Sequence, residues 1–266
     1  MRPSKRHSEI LRILHDNGTT TISDLADRLS VSLETIRRDV KPLAVEGLII
    51  KMHGAVALPE RQSEAPFERR MREHSEAKRA IARRVAGLVA DGDSLMMDTG
   101  TTTSFVARAL TVKHDLTVVT NSADIARILS GVSSNRVYMA GGEIRGDNGA
   151  AFGTPALDFV RRFSVRHSII TIGAIDPISG PMDFDFEEAE FAAEVLKRGE
   201  NRVIVTDAMK FNRSALVRVC DFDDIDAIIS EAMPPPELAR VLDAHGVPVL
   251  LADDLEETAP PQLPAR

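Results

Sequence analysis

From Lys78 onward the apolar residues come in short, strand-length runs separated by stretches with helical spacing, and this alternation most constrains the fold. Ile81, Val85, Leu88 and Val89 share one helix face, Ser94 to Met97 reads as a strand, Phe105, Ala109 and Leu110 return to helical spacing, and Leu116 to Thr120 is again a strand. Further strands are expected near 136–140, 168–172, 202–206, 225–229 and 247–250, with helices over 122–129, 155–163, 187–196 and 236–245. Strands rich in β-branched residues that alternate with helices build a largely parallel sheet covered on both faces. The expected class is therefore α/β for residues 78–257.

The first 58 residues follow a different pattern. Ile10, Leu11 and Leu14 stripe one helix; a second is expected over 24–29 with Ser23 as its cap and Leu25 and Leu29 buried; Ser32 caps a third whose inner stripe is Ile36, Val40 and Leu43. Gly47 closes it, and 48–51 and 55–58 are two short strands around a His53-Gly54 turn. Residues 59–77, charged and carrying Pro59 and Pro66, read as a linker, and the proline-rich 258–266 as a disordered tail. A chain of 266 residues accommodates both units.

Charge is divided unevenly between them. The net charge is −7, yet residues 1–58 carry +2 and the remainder −9, so only the first unit is a candidate for touching nucleic acid. With no Trp and one Tyr there is little surface for stacking unpaired bases. Cys220 is the only cysteine, and the charged start of the chain is unlike a secretory signal, so a cytoplasmic location is expected. Apolar runs are far shorter than the roughly 20 residues that span a bilayer, so no membrane partner is expected. The seven histidines are scattered without paired spacing, so neither a metal nor another cofactor is expected.

Two helices joined by a tight turn, the second capped by Ser and basic outside, meet the needs of a helix-turn-helix on double-stranded DNA. With Ile36, Val40 and Leu43 inward, Glu34, Thr35, Arg38 and Lys41 point outward. Either Arg37 or Arg38 can take a guanine edge while the other clamps phosphate. The helix start at Ser32 offers N–H groups to a phosphate. Lys51 and His53 lie where a wing approaches the backbone, and Arg2, Lys5 and Arg6 reach it from the first helix. The competing reading is a plain solvated face.

In the second unit, Asp98-Thr99-Gly100-Thr101-Thr102-Thr103-Ser104 joins a strand to a helix and suits an anion, without the pattern of a Walker loop or a dinucleotide fingerprint. Thr120-Asn121-Ser122 repeats that small polar chemistry at a second strand end, and such ends converge on one crevice. Gly141-Gly142 follows another strand, Lys210 lies beyond Asp207, and Glu187 and Glu188 open a helix where acids also serve the dipole. Asp98, Gly100, Thr101, Thr102, Thr103, Thr120, Asn121, Ser122, Gly141, Gly142, Glu188 and Lys210 are the candidate effector residues. The stretches 145–148 and 183–186 are candidates for tuning ligand choice.

These motifs together, with Val31-Ser32, Thr35-Ile36-Arg37-Arg38-Asp39-Val40 and His53-Gly54-Ala55, resemble the DeoR family of bacterial transcriptional regulators. Val40 replaces the family's Leu, and a single Gly54 stands where the family has Gly-Gly. The resemblance extends over 78–254 through Asp98 to Thr102, Thr120 to Ser122, Gly141-Gly142, Glu188-Ala189 and Asp207 to Phe211. It implies a winged helix-turn-helix followed by an effector domain similar in fold to ribose-5-phosphate isomerase and the CoA transferases. It further implies a regulator, most often a repressor of sugar or polyol catabolism genes, controlled by a phosphorylated sugar or polyol. A reader with so little positive charge needs partners on repeated half-sites, so a homodimer or homotetramer is expected. The alternative is a sugar-phosphate isomerase using Asp98, Glu187 or Glu188 as base.

Overall fold

In a computed structural model, residues 5–17, 19–45, 48–52, 54–57 and 64–253 are described. The chain divides into two compact units, residues 1–62 and 63–266.

The first unit runs α1 (Lys5–Asn17), β1 (Thr19–Thr21), α2 (Ile22–Arg28), α3 (Leu33–Val45), β2 (Ile50–Met52) and β3 (Ala55–Ala57). Ile10, Leu14, Leu25, Ile36, Val40, Leu43 and Val56 close its core, each stabilising it by roughly 1.5–3 kcal/mol relative to exposure. Leu29 is only partly buried. Ser32 Oγ accepts from the Thr35 N–H at 3.2 Å, as the spacing predicts. The cap of α2 is Thr21 rather than Ser23: Thr21 ends β1 in extended conformation and its hydroxyl accepts from the Asp24 N–H at 3.0 Å. That strand, not foreseen from the sequence, pairs antiparallel with β3, giving the order β1-β3-β2. The expected stop at Gly47, the wing residue His53 and the tail 258–266 lie outside the described residues.

In the second unit α4 (Phe67–Arg72) and α5 (Ser75–Leu88) lead into β4 (Ser94–Met97), α6 (Thr101–Ala109), β5 (Thr117–Thr120), α7 (Ala123–Ser130) and β6 (Arg136–Met139). The chain continues through α8 (Thr154–Val160), β7 (Val165–Ile170), β8 (Ala174–Asp176), β9 (Gly180–Asp183), α9 (Phe186–Leu196), β10 (Gly199–Val205) and β11 (Val217–Arg218). It ends with β12 (Ala227–Ser230), α10 (Pro236–Ala244) and β13 (Val249–Leu251). Seven parallel strands form one sheet in the order β13-β12-β10-β7-β4-β5-β6.

Alternate residues feed opposite faces of this sheet. Leu95 and Met97 enter one core with Ile81, Val106 and Ile125; Met96 enters the other with Val160, Phe191 and Leu238. Helices therefore cover both faces, as the strand–helix alternation requires. Because β5 and β6 build outward from β4 on one side and β7, β10 and β12 on the other, the order reverses between β4 and β7. In open parallel sheets the crevice beyond such a reversal is where ligands bind. A small antiparallel sheet, β11-β9-β8, follows β7 and was not foreseen.

The stretch 59–77 read as linker contains α4 and the start of α5. Pro66 is the N-cap of α4, at φ −50° and ψ 143°, so this proline starts a helix instead of preventing one.

Candidate functional site

On the first unit, α3 sets Ile36, Val40 and Leu43 into the core and leaves Arg37, Arg38 and Lys41 exposed. Ser32 and Thr35 share a hydroxyl contact of 2.8 Å at the helix start, where the exposed dipole end favours a phosphate. Arg37 lies 3.6 Å from Glu34, one turn away and open to solvent, a pairing worth little against a DNA phosphate. Lys51 on β2 is exposed as well. Arg6, expected to reach toward DNA, instead ion-pairs through Nε with the Asp39 carboxylate, which α3 turns inward.

On the second unit a crevice opens at the reversal between β4 and β7. Its walls are Asp98 and Thr99 beyond β4, Thr171 and Ile172 beyond β7, Asp183 at the end of β9, Glu188 and Phe191 on α9, and Phe152, Glu64 and Arg70. The Asp98 carboxylate accepts the Thr171 N–H at 3.1 and 3.2 Å, tying the two strand ends together. Gly100 permits this closeness: a Cβ there would sit 2.0 Å from Thr171 Cγ2. The Thr99 hydroxyl is buried without a hydrogen-bond partner. Phe152 and Phe191 meet edge to face at 6.2 Å, and the Arg145 guanidinium stacks 4.3 Å from the Phe152 ring centre.

Cations and carboxylates are unevenly matched here. Lys210 Nζ donates to Glu64, and the Arg70 guanidinium pairs with the same carboxylate. Burial raises the Asp98 carboxyl well above its ordinary range, with Asp183 and Glu188 adding to the effect. Burial, reinforced by the charge of Glu64, lifts Asp183 to about 6. Burial and the charge of Asp183 lift Glu188 to about 7. Glu64 goes the other way: burial opposes its ionisation, but Lys210 and Arg70 together hold it below the usual carboxylate range. Near neutral pH, then, the crevice contains the ionised Glu64 on two cations, a largely ionised Asp183, and carboxyls at Asp98 and Glu188 able to donate or accept toward hydroxyl groups.

The structure brings Asp98 and Glu188 to the crevice and sets Lys210 against its Glu64 wall. Thr101, Thr102 and Thr103 are buried in the first turn of α6, and Thr103 Oγ1 donates to the Gly100 carbonyl at 3.1 Å. Thr120 Oγ1 accepts from the Ser122 N–H, and Ser122 Oγ caps α7 by accepting from Ile125 at 3.4 Å. Asn121 Nδ2 donates to the Ala151 carbonyl at 3.0 Å while its Oδ1 stays buried and unpaired. Gly141 and Gly142 are exposed beyond β6. None of these residues lines the crevice. Thr99, inside the expected Asp98 to Ser104 turn, does, and so do Glu64, Arg70 and Thr171, which the sequence reading missed. Arg145 and Asn148, in one stretch set aside for ligand choice, reach α9: Arg145 Nη2 donates to Asp185 at 3.1 Å, and Asn148 Nδ2 donates to Glu188 at 2.8 Å.

Residues 6–62 match the DeoR-like helix-turn-helix domain and residues 73–232 the DeoR C terminal sensor domain. The chain belongs to the DeoR family. Across 93% of its length this DeoR-family chain is 33% identical to the glycerol-3-phosphate regulon repressor of Escherichia coli, covering 98% of that protein. It is 31% identical to the HTH-type transcriptional repressor CsqR of the same organism, over 94% of this chain and 95% of that one. Ribose 5 phosphate isomerase A from Neisseria gonorrhoeae resembles it at 16% identity with a TM-score of 0.37, over 53% of this chain and 54% of the enzyme. The DeoR-family chain is thus a DNA-binding transcriptional regulator with a sensor domain, and the isomerase alternative is set aside because its family and full-length relatives are repressors. Among the described residues no helix is long and apolar enough to cross a membrane.

Proposed function

We propose that this protein represses genes of polyol or sugar-phosphate use by holding operator DNA through α3, and releases it when a small phosphorylated polyol enters the crevice between β4 and β7. The observation that supports this reading is the crevice itself: Arg70 and Lys210 offer two cations to a phosphate, while Asp98, Asp183 and Glu188 offer carboxyls to hydroxyl groups. The name of the Escherichia coli relative makes glycerol 3-phosphate the first compound to try. Ser32, Thr35, Arg37, Arg38, Lys41, Lys51 and His53 form the DNA face in this reading. Gly100 to Thr103, Thr120 to Ser122 and Gly141-Gly142 shape the loops around the ligand rather than touch it.

Repeated half-sites and a homodimer or homotetramer follow from the weak charge of one reader, and the cytoplasm is where DNA and phosphorylated metabolites meet. A ligand moves such an equilibrium only through unequal affinity for the two states, on the order of 1–3 kcal/mol. The experiment is to select duplexes from a random pool with the full chain, then measure their retention with glycerol 3-phosphate, glycerol or inorganic phosphate added. Release by glycerol 3-phosphate and not by glycerol is expected. Equal retention with every phosphorylated sugar and polyol tried would refute the reading.

A further inference from the structure

The two cations of the crevice already hold an anion that belongs to the chain. Glu64 places its carboxylate on both Arg70 and Lys210, with Glu64, Arg70 and Lys210 only 13%, 18% and 19% exposed at their side chains. Arg70 secures the same segment a second time, its Nε donating to the Ala65 carbonyl at 2.8 Å. Lys78, itself buried, holds the far end of α4 by donating from Nζ to the carbonyls of Arg70 and of Glu73, the latter at 2.9 Å. With Glu64 in place the space left in the crevice is about 10 Å³, roughly room for one water. A phosphorylated polyol cannot enter unless something leaves, and Glu64 is the wall residue that precedes α4 outside any helix or strand.

We propose that Glu64 is a tethered competitor for the effector: its carboxylate occupies the Arg70–Lys210 seat in the ligand-free protein, and the effector's phosphate displaces it. This deepens the function proposed above and rests on it. A phosphate near pH 7 carries more charge and more acceptor oxygens than a carboxylate, so it is the better partner for two cations.

Displacement has a consequence for the DNA reader that follows from covalent connection alone. Glu64 lies two residues beyond the end of the first unit. Freeing residues 64 and 65 up to the Pro66 cap lengthens the chain between reader and sensor by two residues, roughly 7 Å at full extension. A longer tether lowers the effective concentration with which a second reader finds its half-site. The seat is thereby linked to operator affinity without a rigid relay.

Glu64→Gln and Glu64→Ala remove the competitor, and both variants are examined because the amide can keep part of the contact. Calorimetric titration of the full chain with glycerol 3-phosphate, and with inorganic phosphate as the minimal probe, is expected to give about tenfold tighter binding in the variants than in the parent. This is the gain when a competent state goes from minor to dominant. Hydrogen exchange in the peptide spanning 64–72 should rise on adding glycerol 3-phosphate to the parent and start high in the variants. If the parent binds and the variants bind no more tightly, the competitor role is overturned while the proposed function stands. If neither parent nor variants bind any phosphorylated sugar or polyol, both fall together.

Discussion

Replacing Glu188 by Gln should stabilise the ligand-free protein at alkaline pH and slightly destabilise it in acid. The folded carboxyl is held at about 7 against an ordinary 4.5, by burial first and by the charge of Asp183 next. Between those values the folded chain keeps a proton that the unfolded chain has released, so stability falls as pH rises through that window and levels off above it. At about 1.4 kcal/mol per pH unit the penalty of ionised Glu188 is about 3 kcal/mol. Gln keeps an oxygen for the Asn148 amide, now at 2.8 Å from Glu188, but brings an NH₂ group that must find a partner, costing about 1 kcal/mol. The net gain is on the order of 1–2 kcal/mol above pH 7. For a domain of this size that is about 3–6 °C in the sensor transition, read by scanning calorimetry of parent and variant at pH 4 and pH 8. A gain equal at both pH values would mean that ionisation is not the cause, and no gain at pH 8 would refute the charge-crowded crevice.

Other expectations concern both units. Arg38→Ala should abolish retention of selected duplexes while titration with glycerol 3-phosphate stays as in the parent; parallel loss of both would make the residue structural. Asp39→Ala, which strands Arg6, should lower the melting transition of the reader and leave that of the sensor in place. Gly100→Ala should destabilise the sensor by about 1–3 kcal/mol through collision with the Thr171 methyl, and adding Thr171→Ser should recover most of the loss in urea unfolding.

Much of the fold was legible because it rests on local periodicity. The stripe of Ile36, Val40 and Leu43 and the cap from Ser32 need only residues three or four apart, and both are found where spacing put them. The strands of the parallel sheet announce themselves as β-branched runs. What escaped depends on distant partners. Thr19 to Thr21 has no alternation of its own and becomes a strand only by pairing with β3. The cap at Thr21 instead of Ser23 follows from that pairing, since two nearby hydroxyls compete and only one sits at a strand end.

The crevice divides the same way. Asp98 and Glu188 stand out at a strand end and a helix start. Arg70 and Glu64 lie in a charged stretch that reads as linker, and their meaning depends on closing a span of 146 residues from Glu64 to Lys210. The one local signal was Pro66 directly before Phe67, a proline placed where a helix begins. The threonines of 101–103 suggested ligand contacts because hydroxyls at a helix start suit anions. In the ligand-free fold they are buried in the first turn of α6, and it is Gly100 before them that packs close to Thr171.

The most direct test of the account is a thermal-shift panel of phosphorylated and unphosphorylated sugars and polyols on the parent and on Lys210→Ala. A ligand that binds only the folded chain raises its transition by mass action. The account predicts that at least one phosphorylated compound raises the sensor transition of the parent, that its unphosphorylated counterpart does not, and that Lys210→Ala loses the shift. An equal response to both forms, or an undiminished shift in the variant, would contradict it.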